Sequence, residues 1–291
     1  MMRSYKVVDA FSSRPFKGNP VAVVMDAQGL SDQQMQDIAG WTNLSETTFI
    51  LPAAQENADY RLRIFTPHSE LPFAGHPTLG SAHAALEAGL IKAKDGYVVQ
   101  ECGQGLIRIA VQESKGTQTL TLDMPHAAFE PLKPEDIAEL ETIIGQKVLS
   151  DIPPAIVNVG AVWIVAQVAD AATLLDLKPD FSRSARLERK LGVTGLSLYG
   201  AYPEGSPSAI EVRSFAPSCG VDEDPVCGSG NGAVAAFRVA RAQLPEEGGQ
   251  YCATQGEKRG RSGHIVVETA EHGIVRIGGA CVTCVDGQIH I

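Results

Sequence analysis

The chain carries one pattern twice, and this repetition constrains the fold more than any other feature of the sequence. Arg-Ile-Phe-Thr-Pro begins the first copy at Arg63, and Arg-Ser-Phe-Ala-Pro begins the second at Arg213. Each copy then reaches a small-Gly-polar-small step, first at Ala74 and then at Cys227, and continues into an alanine-rich segment. The spacing between the two features differs by three residues, which indicates a diverged duplication of two domain-sized halves.

The alanine-rich segments predict two buried helices. Residues 78–88 and 232–240 contain good helix formers with almost no charge on any face, and a helix that is apolar all round needs a wall on every side. We expect Pro77 at the first helical position and Gly89 just past the end of the first helix. Short runs rich in β-branched residues predict the surrounding strands, among them IVNVG, VWIVAQV and TTFIL.

The predicted fold class is therefore α/β (α+β), with two pseudo-symmetric halves that each wrap a mixed β-sheet round a central helix. We place the first half at residues 1–127 and the second at residues 128–291, linked near MPHAAFEPLKPED.

The turns before the two helices predict anion binding. Gly75 and His76 precede the first helix, and Gly228 and Ser229 occupy the same place in the second copy. Helix starts present N–H groups and partial positive charge, which attract carboxylates and phosphates. A glycine-rich turn before a helix is also a common structural element, so the turn alone leaves a purely structural role open. Because the turn occurs twice, we expect the two helix starts to hold one small anionic metabolite across a cleft.

Glu46 is the first candidate for acid/base chemistry. It lies between a helix that Ser31 caps and the predicted strand TTFIL, in uncharged surroundings. A carboxyl group beside apolar groups has a raised pKa and can both accept and donate a proton near neutral pH. From this segment alone, an exposed glutamate at a strand start is the alternative.

Composition excludes several classes of function. The net charge of −10 argues against a nucleic-acid partner, and no stretch is long and apolar enough to span a bilayer. We see no secretion signal, and six scattered cysteines favour reduced thiols in the cytoplasm. Cys281 and Cys284 form a lone CxxC, which we interpret as part of a strand and not as a metal site.

Four blocks in order resemble the phenazine-biosynthesis isomerase (PhzF-like) family: DAFSSRPFKGNPVAVV, NLSETTFIL, FTPHSELPFAGHPTLGSAHAAL and FAPSCGVDEDPVCGSGNGAVAAF. The resemblance covers nearly the whole chain. It implies the fold shared by diaminopimelate epimerase and proline racemase, and an isomerase that needs no cofactor and no metal. It also implies that Glu46 is the proton shuttle and that the substrate is bound by Gly75, His76, Asp224, Gly228 and Ser229.

Cys227 departs from the family pattern, where many members carry threonine. A thiol at a helix start can have a lowered pKa, and Cys227 could be a second acid/base. Packing of a small residue under the turn is the alternative. Two other functions stay open: an epimerase or racemase that uses Glu46 and Cys227, and a non-catalytic binding protein on the same fold. We also expect a homodimer.

Overall fold

The computed structural model describes residues 1–114 and 116–291 as alternating helices and strands. The helices are α1 Asp32–Thr42, α2 Gly75–Glu87, α3 Pro134–Ile144, α4 Ala171–Asp176, α5 Phe181–Leu191 and α6 Gly228–Ala240. The strands are β1 Met2–Ala10, β2 Asn19–Val24, β3 Thr47–Leu51, β4 Tyr60–Phe65, β5 Glu70–Leu71, β6 Tyr97–Cys102, β7 Gly105–Ser114, β8 Thr117–Asp123, β9 Ala128–Pro131, β10 Ala155–Val159, β11 Ala161–Gln167, β12 Gly195–Ala201, β13 Ile210–Ala216, β14 Val221–Asp224, β15 Gln250–Gln255, β16 Gly263–Thr269 and β17 Val275–His290.

The chain forms two compact units. The first comprises Met1–Leu122 and Gly278–Ile291, and the second comprises Asp123–Ile277. Residues 278–291, which the sequence assigned to the second half, lie in the first unit because residues 281–290 of β17 pair antiparallel with β1. The sequence offers no signal for this placement, because the pairing joins two strands that lie far apart along the chain.

The first unit is a closed barrel of eight strands. The pairings run from β17 to β1, β2, β3, β4, β6, β7 and β8, and β8 pairs with β17 to close the ring. The β2–β3 and β4–β6 pairs are parallel, and the pairs β17–β1, β1–β2, β3–β4, β6–β7 and β7–β8 are antiparallel. A closed ring leaves no unpaired strand edge.

Helix α2 contacts strands β1, β2, β3, β4 and β6 of this barrel and is almost wholly buried. Its few polar side chains are paired inside: the Ser81 hydroxyl lies 2.8 Å from the Thr48 hydroxyl, and Gln100 Nε2 donates to Thr78 Oγ1 at 3.0 Å. Gly80 permits the close approach of α2 to β2, because a Cβ there would collide with Val21. These observations confirm the predicted sheet wrapped round a central helix.

The second unit repeats this order of strands. The pairing runs β9–β10–β11–β12–β13–β15–β16, and its two parallel pairs are β11–β12 and β13–β15. Strands β10 to β13 correspond to β1 to β4, β14 to β5, α6 to α2, and β15 and β16 to β6 and β7. Helix α6 is buried as α2 is. The internal duplication predicted from the two sequence copies is therefore visible strand by strand.

Both central helices begin earlier than predicted, α2 by two residues and α6 by four. Pro77 is the third residue of α2, not the first, and the turn that starts at Gly228 is itself the first turn of α6. The first four N–H groups of a helix have no partner within it, so a proline at the third position removes no helical hydrogen bond. Gly89 lies past the end of α2 with φ of 70°, as expected.

The predicted strands IVNVG, VWIVAQV and TTFIL correspond to β10, β11 and β3, and the Cys281–Cys284 segment lies within β17. Trp41, near the end of α1, is 78% exposed, whereas Met35 on the same helix is buried. No helix in residues 1–114 or 116–291 is long and apolar enough to cross a membrane.

Candidate active site

Glu46 occupies the position immediately before β3, in the short segment that connects helix α1 to this strand of the barrel. Asn43 ends α1 in the left-handed conformation, with φ of 54°, and this reverses the chain toward the strand. The Glu46 carbonyl accepts a hydrogen bond from Ala22 N at 3.4 Å, which holds the residue beside β2. Only 15% of the Glu46 side chain is exposed.

His76 lies beside Glu46 within the first unit. His76 Nε2 is 3.3 Å from Glu46 Oε2, and the imidazole is buried at the start of α2. Burial raises the pKa of the Glu46 carboxyl to about 7, and a hydrogen bond with Ser45 opposes that rise only in part. A carboxyl group with this pKa exchanges a proton readily at neutral pH.

The start of α2 has no side-chain cap. Ala74 is the N-cap residue and offers no hydrogen-bonding side chain, so Gly75 and His76 form the first turn below an uncapped N-terminus. The partial positive charge of such an end attracts carboxylates. A Cβ at Gly75 would meet no atom within 4 Å, which places this residue at an open position.

The start of α6, in the second unit, is capped by a sulfur atom. Cys227 is the N-cap residue, and its Sγ accepts a hydrogen bond from Gly230 N at 3.3 Å. Gln255 Oε1 accepts from Cys227 N at 3.0 Å and from Asn231 Nδ2 at 2.8 Å, which ties the turn to β15. Gly230 is required here, since a Cβ would lie 2.5 Å from Ser214 Oγ and 2.9 Å from Ser197 Oγ.

Asp224, Cys227 and Ser229 cluster at this turn. Asp224 Oδ1 accepts from Val226 N at 2.9 Å, and Ser229 Oγ lies 3.6 Å from Cys227 Sγ. Burial raises the pKa of the Cys227 thiol well above its ordinary value, and the negative charge of Asp224 raises it further. The direction is opposite to the lowering that a helix start alone would produce, because desolvation of the thiolate is the largest effect.

Two kinds of residue at the site were not found by sequence reasoning. Arg63 and Arg213 form paired hydrogen bonds with Glu70 and Glu223, which lie on the short strands that precede the two glycine turns in sequence. The two arginines are the first residues of the repeated pattern, but the changed spacing hid their glutamate partners. Trp163 contacts Ser229 from β11, and no motif in the sequence indicates this contact.

The strand order and the two central helices define a class of proteins. The structure is similar to a hydroxyproline epimerase from Agrobacterium vitis with bound trans-4-hydroxy-L-proline, with a TM-score of 0.63 and 16% identity over 99% of this chain and 92% of that one. It is more similar to a PhzF family protein from Bacillus anthracis, with a TM-score of 0.89 and 23% identity over the full length of both chains. At these identities the likeness shows the fold alone: the chain has the fold of the proline racemases and PhzF proteins.

Sequence comparison identifies the family. The family described as phenazine biosynthesis-like protein (PhzC-PhzF) matches residues 8–287. The antisense-enhancing sequence 1 protein of Schizosaccharomyces pombe is 37% identical over 99% of both chains. The trans-2,3-dihydro-3-hydroxyanthranilate isomerase of Pseudomonas aeruginosa is 32% identical over the full length of both. The chain belongs to the PhzF-like family of isomerases, as the sequence blocks predicted, and members of the family act on small metabolites.

Proposed function

We propose that this protein isomerises a small carboxylate-bearing metabolite by moving a proton with Glu46 as the acid/base. The candidate substrates are amino and hydroxy acids, cyclic ones among them. The observation that carries the proposal is the Glu46 carboxyl, which is 15% exposed, has a pKa of about 7 and lies 3.3 Å from His76 Nε2. Glu46 removes a proton from carbon in its ionised form and returns a proton to another position in its protonated form. A pKa near the working pH suits both steps.

The neighbouring groups have binding roles in this proposal. His76 polarises a polar group of the substrate beside Glu46, and the turns at Gly75 and at Gly228–Ser229 hold the carboxylate through helix-start N–H groups. Asp224 fixes a polar substituent, such as an amino or hydroxyl group. That these residues line one cleft stays a prediction, and a crystal structure with bound ligand tests it.

The decisive experiment follows the exchange of deuterium from solvent into candidate substrates. The panel begins with trans-2,3-dihydro-3-hydroxyanthranilate, the compound in the name of the P. aeruginosa relative, and extends to other amino and hydroxy acids. Glu46→Gln keeps the shape of the side chain and removes its acid/base function. We expect this variant to lose about 10²–10⁴-fold in exchange rate, the usual contribution of a general acid/base.

Glu211→Gln is the matched control. Glu211 is also a buried carboxyl with a pKa raised by desolvation, but it lies at the start of β13 and is held by hydrogen bonds from Tyr202 and Thr254. We expect Glu211→Gln to retain the exchange rate of the unaltered protein. Full exchange in Glu46→Gln would show that the Glu46 carboxylate is structural and would refute the proposal.

A further inference from the structure

Trp163 reaches the glycine turn of the second unit from strand β11. Its indole Nε1 lies 3.2 Å from Ser229 Oγ, and only 3% of the residue is exposed. We propose that Trp163 is a positioning residue, which fixes the Ser229 hydroxyl as a hydrogen-bond donor toward a carboxylate of the substrate. The inference rests on the function proposed above, because it specifies how one of the two turns recognises its anion.

The direction of the hydrogen bond follows from the chemistry of the indole. An indole N–H is a donor only, so Ser229 Oγ must accept in this contact. A serine hydroxyl has two lone pairs and one proton. With one lone pair occupied by Trp163, the hydroxyl keeps a single further acceptor position and its proton.

Cys227 lies beside the second acceptor position, and we assign its thiol as the donor in this contact. Its raised pKa keeps the thiol protonated at neutral pH, and its sulfur already accepts a hydrogen bond from Gly230 N at 3.3 Å. The thiol can therefore donate to Ser229 Oγ across 3.6 Å. Both lone pairs of the hydroxyl are then used, and its proton is directed away from Trp163 and Cys227. A carboxylate accepts that proton, whereas an ammonium group cannot.

The indole is held in place by the sheet beneath it. Trp163 pairs with Val157 on β10 and with Gly195 on β12. Gly195 leaves room for the ring, because a Cβ there would lie 2.9 Å from Trp163 Cζ3. A donor fixed between two neighbouring strands loses little freedom when the ligand binds, which favours recognition by a preorganised group.

Indole N–H signals in the NMR spectrum of ¹⁵N-tryptophan-labelled protein test the proposal directly. The chain has two tryptophans, and Trp41→Phe assigns the remaining signal to Trp163. We expect the Trp163 proton to exchange slowly with solvent and to shift on addition of benzoate, but not of benzylamine, which has the same ring and an ammonium group. A Trp163 signal that benzoate leaves unmoved, or that benzylamine moves equally, overturns the proposal.

A double-mutant cycle separates positioning from packing. We expect Trp163→Phe to weaken benzoate binding by about 5–10-fold, the effect of one lost hydrogen bond, and to weaken it no further in a Ser229→Ala background. Equal losses in both backgrounds, with unchanged circular dichroism, would show that Trp163 acts independently of Ser229 and would refute the proposal. Failure of the proposed function has a different signature, which is full deuterium exchange in Glu46→Gln.

Discussion

The carboxyl of Glu46 couples the chemistry of the site to the stability of the protein. Its pKa is about 7 in the folded state because burial disfavours the charged form, while an unfolded chain gives it an ordinary value near 4.5. Below the unfolded pKa both states bind the proton, and the carboxyl adds no pH dependence. Between the two values only the folded state keeps the proton, so stability falls as the pH rises through the folded pKa.

Glu46→Gln removes this dependence. We expect the variant and the unaltered protein to have similar free energies of unfolding well below the unfolded pKa, at about pH 3, because the carboxyl is then neutral in both states. At pH 8 the variant should be the more stable by up to about 3 kcal/mol, the equivalent of the pKa difference at 1.36 kcal/mol per unit. Urea unfolding across this pH range measures the difference, and His76 is present in both proteins. A difference that does not grow with pH would contradict the raised pKa.

The Cys227 thiol distinguishes a one-base from a two-base mechanism. A raised pKa leaves almost no thiolate at neutral pH, whereas inversion of a stereocentre by two bases needs an ionisable group on each face. We expect Cys227→Ser to keep most of the deuterium exchange, since a hydroxyl can donate to Ser229 in place of the thiol. A loss as severe as that of Glu46→Gln would favour the epimerase alternative.

Among the structural elements, the repeated Arg-x-Phe strands carry a matched pair of arginine–glutamate contacts. In each unit the arginine lies over the phenylalanine two residues later, with the guanidinium 5.1 Å from the Phe65 ring and 4.9 Å from the Phe215 ring. Each arginine also binds a glutamate on the short strand before the central helix. The contact thus fixes the segment that leads to the glycine turn, once in each unit.

The two copies differ in exposure, and this difference sets their expected contribution to stability. Glu223 is 8% exposed and Glu70 is 42% exposed. Breaking a buried ion pair leaves an uncompensated charge and typically costs about 3–5 kcal/mol, while an exposed pair contributes about 0–1 kcal/mol. We therefore expect Glu223→Gln to lower the free energy of unfolding by about 3 kcal/mol and Glu70→Gln by less than 1 kcal/mol. Equal losses in urea unfolding would contradict this assignment.

The sequence predicted those elements that local chemistry determines. The buried helices, the strand TTFIL before which Glu46 lies, and the two glycine turns all follow from residue types within a short window. Three features could not be predicted, because each joins residues that only the strand order brings together. They are the placement of residues 278–291 in the first unit, the Arg213–Glu223 contact and the Trp163–Ser229 contact. The raised pKa of Cys227 was missed for a related reason: burial is a tertiary property, and the helix start alone indicates the opposite direction.

At the scale of the whole molecule, the first unit is built from two separate stretches of the chain. The ring of strands needs β17 between β1 and β8, so residues 1–127 alone would leave both edges unpaired. We expect a fragment of residues 1–127 to be unfolded or aggregated by circular dichroism and size-exclusion chromatography. Addition of a peptide of residues 278–291 should restore β-structure.

The matched control for this complementation is the same peptide with Gly278→Val. A Cβ at Gly278 would collide with the Leu120 carbonyl oxygen on β8, so this peptide should not complete the ring. A fragment of residues 1–127 that folds without any peptide would contradict the requirement for β17.

The position of residues 278–291 behind the whole second unit also orders events during synthesis on the ribosome. Domains usually fold from the N-terminus as the chain emerges, but here the first unit waits for residues that are made after the second unit. The second unit, Asp123–Ile277, is continuous and has all its residues before residues 278–291 have left the ribosome. The barrel that carries Glu46 can close only once residues 278–291 have emerged. A message truncated within β17, before residue 278, therefore yields a protein in which the barrel around the proposed acid/base stays open.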